Sequence, residues 1–160
     1  MSLDESYYSL ALSCGKERNL SGAAVFARQA LCLNGENEKA RRLLGLCLYE
    51  LGDLEGAADV FAGMPEWESV CAERECANEA FSKIRELAAR KKWRKAESEA
   101  RKIRHQSARV LKIRGCLLVA SKRRGKASAL FAQALEKDRG GQVIFLTETT
   151  KQRGWRQRWK

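Results

Sequence analysis

The side chains with chemistry to offer are six cysteines, one histidine and 31 lysines and arginines in a chain of 160 residues. Cys14, Cys32, Cys47, Cys71, Cys76 and Cys116 never fall as a C-x-x-C pair, and His105 alone does not complete a zinc set with them. Most stand where Ala, Val or Leu would serve in a helical core, so they read as small buried thiols of a reducing compartment. The sequence has no Gly-rich phosphate loop, nucleophile elbow or H-E-x-x-H. His105, in "IRHQS", has no nucleophile–base pattern around it and reads as an exposed turn residue. Glu97 and Glu99 point to different helical faces and match nearby cations. These residues predict no catalytic group, no metal and no cofactor: a binding protein and not an enzyme.

The cations offer a second chemistry, attraction of anions. The formal net charge is +11, and it is unevenly placed. Residues 1–72 hold 6 basic and 11 acidic side chains, net −5, while residues 73–160 hold 25 and 9, net +16. Basic runs recur as "RKKWRK" (Arg90–Lys95), "ARKIRH" (Ala100–His105), "SKRRGK" (Ser121–Lys126) and "RGWRQRWK" (Arg153–Lys160). Such runs can track phosphates, each contact adding salt-dependent affinity. The candidate anion or nucleic-acid contacts are Arg94, Lys95, Arg123, Arg124, Trp155, Arg156 and Arg158. Trp155 and Trp159, four apart, share one face if that segment is helical.

Ala, Leu, Arg, Lys and Glu dominate, and Pro occurs once, at Pro65. That composition predicts an all-α chain. The first residues do not read as a signal peptide and no window is long and apolar enough to span a membrane, which leaves the cytoplasm as the expected location.

The chain repeats itself. Ala23, Ala27 and Ala30 stand 34 residues before Ala57, Phe61 and Met64, and Leu10-Ala11 stand 34 before Leu44-Gly45. Gly115, Ala127, Phe131 and Ala134 follow Gly45, Ala57, Phe61 and Met64 by 70, about two repeat lengths. A weaker copy between them places Trp93, Ala96, Ala100 and Ile103 at the positions of Leu54, Ala57, Phe61 and Met64. Within copy two, Gly52-Asp53 reads as the turn between two helices. Gly56 reads as a tolerated cost near the start of the second, Ala57 as the residue against Gly45, and Phe61 as a plug toward the next repeat. Pro65 starts a long first helix for copy three.

These positions resemble the tetratricopeptide repeat (TPR) family. The second copy carries the pattern as Leu44, Gly45, Leu48, Gly52, Asp53, Ala57 and Phe61, and the fourth as Leu111, Gly115, Leu118, Ala127, Phe131, Ala134 and Leu135. The resemblance implies a right-handed α-solenoid of antiparallel helix pairs, about four repeats over residues 4–141: 4–37, 38–64, 66–107 and 108–141. Residues 142–160 follow as a basic C-terminal cap or tail. Arg41 stands where copy two should carry a large aromatic, and Gly35 and Arg139 where Pro usually closes a repeat. The family further implies a scaffold that holds a protein or peptide in its concave groove. First helices would present Tyr8, Leu12, Lys39, Arg42, Leu46, Tyr49, Phe81, Arg85, Arg109 and Lys112 there, cations interleaved with aromatics that suit an acidic peptide. The chaperone-tail clamp of some family members is not expected, because Tyr8 and Leu12 stand where its Lys and Asn would be. The alternative is an RNA- or ribosome-associated adaptor that uses the basic C-terminal half.

Overall fold

Ser2, Asn19, Asn37, Asp53 and Ser107 each turn a side-chain oxygen onto a backbone N–H of the helix that follows, satisfying a donor that helix geometry leaves orphaned. The computed structural model describes residues 1–141. Its helices are α1 (Leu3–Lys16), α2 (Leu20–Leu33), α3 (Glu38–Leu51), α4 (Leu54–Phe61), α5 (Trp67–Ala89), α6 (Trp93–Arg101), α7 (Ala108–Ala120) and α8 (Arg124–Lys137), closed by a short 3-10 turn at Arg139–Gly141. The expected C-terminal cap or tail, with Trp155, Arg156 and Arg158, lies outside the described residues.

The chain is all-helical, and the helices pack in sequential pairs, each against its neighbour in the chain. The arrangement is consistent with a TPR-like solenoid of about four helix pairs. The turn inside each pair is built the same way. Arg18, Gly52, Lys91 and Lys122 all have positive φ. The next residue, Asn19, Asp53, Lys92 or Arg123, donates its N–H to the carbonyl of Cys14, Leu48, Leu87 or Leu118 at 2.8–2.9 Å. This is the left-handed closure that satisfies the last carbonyls of a helix.

Counting from that left-handed residue puts the copies in register. Seven residues before it stand Ala11, Gly45, Ile84 and Gly115; nine after it stand Ala27, Phe61, Ala100 and Phe131. A Cβ on Gly45 would lie 2.5 Å from the Phe61 ring, and one on Gly115 2.5 Å from the Phe131 ring. So Phe61 fills the space over Gly45 within its own pair, a role expected of Ala57. In copy three the sizes are exchanged, with Ile84 on the first helix and Ala100 on the second in one buried cluster. Copy one uses Ala11 and Ala27, both fully buried. Each pair keeps a small residue where the helices approach, which close packing demands.

Gly56 differs from expectation, and Gly22 behaves like it. A Cβ on Gly22 or Gly56 would stand 2.6 Å from the Asn19 or Asp53 side chain that caps the same helix. The glycine is the space the cap occupies.

The array also folds back on itself. A Cβ on Gly52 would strike Ser107 Oγ and lie 2.8 Å from Arg109 Cβ, so the end of α3 abuts the start of α7. Arg139 N–H donates to the Arg18 carbonyl at 2.9 Å, placing the end of the fourth copy on the turn of the first. The 23-residue α5 connects the first two helix pairs to the rest. Its first half reaches α3 and α4 through Glu73 and Arg74, and its second half packs Ile84 on α6.

Candidate functional site

Tyr8 and Leu12 of α1 meet Lys39, Arg42 and Leu46 of α3 in one concavity of about 500 Å³, with Glu38 and Leu43. A second concavity, of about 340 Å³, shares Leu12, Leu43 and Leu46 and continues to Lys16, Cys47 and Glu50. Together they form a groove along α1 and α3 from Glu38 to Glu50, on the order of 18 Å at helical rise. Leu12 and Leu46 on its floor are 38% and 49% exposed, and Leu43 is half-buried. At one end Lys39 is exposed with no ion-pair partner among the described residues. Arg42 is already engaged, with Glu66 at 3.4 Å and Glu38 at 3.5 Å.

The remaining groove candidates separate from these. Arg109 lies over the Phe81 ring at 5.2 Å, a cation–π contact. Arg109 and Lys112 line another concavity, of about 540 Å³, with Leu51, Ile84, Ala88 and Leu117. Arg85 is exposed on α5 and lines neither concavity. Tyr49 is spent inside the fold: its hydroxyl donates to Glu73 at 2.7 Å and its ring stacks on His105 at 4.3 Å. Burial, then the Glu73 carboxylate, pushes its phenol up to about 12. The ten residues therefore form two clusters and two outliers.

His105 is not the exposed turn residue its surroundings suggest. It sits between Tyr49 and Glu50 with its Nε2 buried. Periodicity reports contacts within a helix, and this contact crosses 56 residues of chain. The cysteines divide in the same way: Cys47 is buried, Cys14 and Cys71 half-buried, but Cys32, Cys76 and Cys116 exposed. Burial raises the Cys47 thiol to about 11, with Asp138 adding to it. Glu97 is buried against Arg101 at 2.8 Å and Arg114 at 3.2 Å, and Glu99 holds Lys102 at 2.8 Å and Lys83 at 3.3 Å.

The structure adds a cavity that sequence reasoning missed. It measures about 350 Å³ and lies between α5, the end of α6 and the start of α7, with Cys76, Ala77, Phe81, Ile103 and Val110 in its wall. Its sequence signal is the four-residue spacing of Ala72, Cys76 and Ala80, which leaves one face of α5 without bulk. Arg94, Lys95, Arg123 and Arg124 are all exposed on or beside the turns of copies three and four.

Residues 16–73 match the family model described as tetratricopeptide repeat. The match covers about a third of the chain, and beyond it the paired helices of the later copies resemble the same repeat. The matched segment runs from the end of α1 into α5, and so holds the second helix of copy one and both helices of copy two, including Gly45 and Phe61. No curated protein matches the chain. The matched repeat suggests a protein–protein interaction scaffold, and no helix among the described residues is long and apolar enough to cross a membrane.

Proposed function

We propose that the chain is a non-enzymatic scaffold, expected in the cytoplasm, that binds an acidic peptide along α1 and α3. The observation that carries this reading is the continuous groove floored by Leu12, Leu43 and Leu46, with two of those leucines well exposed and Lys39 free at its end. The leucines take apolar side chains of the peptide, where burial contributes most of the affinity. Lys39 takes a carboxylate and fixes direction, while Arg42, held by Glu38 and Glu66, shapes the wall. The groove's open, helix-lined form suits an extended or helical segment better than a small molecule.

Selection from a displayed random-peptide library on the full chain tests this. Binders should be enriched in acidic and apolar residues and should lose affinity for Leu46→Arg and Lys39→Glu, but not for Arg85→Glu. A library that yields no binders, or binders indifferent to Leu46→Arg, rejects the reading.

A further inference from the structure

We infer that the paired turns of the third and fourth repeats form a binding edge for the phosphodiester backbone of a single-stranded nucleic acid. Arg90–Lys92, Arg94 and Lys95 on one turn, and Lys122–Arg124 and Lys126 on the other, are all exposed. Among the described residues, only Arg90 of these nine cations has an ion-pair partner, Glu86 at 2.8 Å. No acidic residue occurs in either run.

The fold sets the two turns side by side. α6 packs on both α5 and α7, and Ile84, Ala96 and Leu117, each within two helical turns of an edge residue, share one buried cluster. Adjacent packed helices place the turns on the order of 10 Å apart.

The local electrostatics then run against the fold's own interest. In copies one and two the residue that opens the second helix is Asn19 or Asp53, whose side-chain oxygen accepts from the helix N-terminus. In copies three and four it is Lys92 or Arg123, and neither helix receives a side-chain cap. Lys95 and Lys126 replace the glycines that accommodate the caps. Cations crowded onto a positive helix end are unfavourable unless an anion joins them. Two such ends, with unpaired cations around both, suit phosphate oxygens.

The shape selects a strand. The edge is two turns wide, and its one aromatic, Trp93, is half-buried against the core. It offers no exposed large apolar side chain to enter a lipid surface and no ring for base stacking. Binding is through the backbone and therefore insensitive to base sequence.

Fluorescence anisotropy of a labelled oligouridine, titrated with the full chain over a range of salt concentrations, tests this. The chain should bind at low salt with a steep salt dependence. Lys92→Asp with Arg123→Asp should weaken binding at least about tenfold and flatten the slope by roughly 0.7 for each phosphate no longer neutralised. The same pair should raise Tm by exchanging cations for anions at two positive helix ends, so weaker binding is not a failure to fold. Arg28→Glu with Arg85→Glu, an equal charge change elsewhere, should leave the affinity nearly unaltered. Any of four results overturns the inference: no binding at low salt; equal weakening by the two pairs; weakening only on Arg153→Gln, Arg156→Gln and Arg158→Gln; or tighter binding to duplex DNA, phosphatidylserine vesicles or polyglutamate than to the oligouridine.

Discussion

Ser21 and Asp138, 117 residues apart, hold each other by two hydrogen bonds: the Ser21 hydroxyl donates to Oδ2 at 2.6 Å and its backbone N–H to Oδ1 at 3.2 Å. Asp138 is buried at the end of α8, and Ser21 is in the first turn of α2. The last repeat thus supplies an acidic cap to the first repeat's second helix, in favourable alignment with its dipole. With the Arg139–Arg18 backbone bond, this contact joins the two ends of the array.

Asp138→Ala should therefore cost about 2–3 kcal/mol, since it leaves the part-buried Ser21 donors without a charged acceptor. Urea denaturation measures the loss. Amide exchange should show faster opening of the first turn of α2 as well as of the end of α8. Protection changes confined to α8 would show that the end-to-end contact carries no stability.

Gly45→Ala should cost about 1–3 kcal/mol by driving a methyl into the Phe61 ring. Phe61→Leu in the same chain should recover part of that loss, a coupling that thermal denaturation of the single and double variants measures. Gly115→Ala should behave likewise against Phe131. Strictly additive losses would mean that the ring and the glycine do not share the space.

The Gly45–Phe61 and Gly115–Phe131 pairs also explain how far the sequence could be read. Copies two and four repeat because one side of the contact must be glycine when the other is phenylalanine. Copy three reverses the sizes with Ile84 and Ala100, so the same geometry leaves no matching letters. The groove was legible where it follows helical spacing, as at Tyr8, Leu12, Lys39 and Leu46. It was not legible at Tyr49, whose side chain is claimed by Glu73 and His105 across the fold-back. Likewise Arg42 reads as a free cation until Glu66, beyond the next helix, comes alongside.

Tyr49 gives the fold an alkaline limit. Its phenol is raised from 10 to about 12 by burial first and by its bond to Glu73 second. A folded-state value above the unfolded one stabilises fully below pH 10, and that contribution is lost as pH rises toward about 12. Tyr49→Phe should lose about 1 kcal/mol at neutral pH for the missing hydrogen bond. Across the alkaline range its stability should fall less steeply than that of the parent chain. Parallel slopes in denaturant titrations of the two proteins would contradict this.

The four left-handed turn residues separate backbone strain from side-chain collision. Lys122 holds φ at 63° in an exposed turn, a conformation that costs a side-chain-bearing residue about 1–2 kcal/mol. Lys122→Gly should relieve that cost, less the extra chain entropy of glycine, for a net gain of about 0.5–1 kcal/mol. Gly52, at φ 93°, is the opposite case: a methyl there is strained by the backbone and also strikes Ser107. Gly52→Ala should therefore lose more than Lys122→Gly gains, and should loosen the junction of α3 with α7. Thermal melts of the two variants decide the point: a stabilising Gly52→Ala, or a destabilising Lys122→Gly, would be inconsistent with this account of the turns.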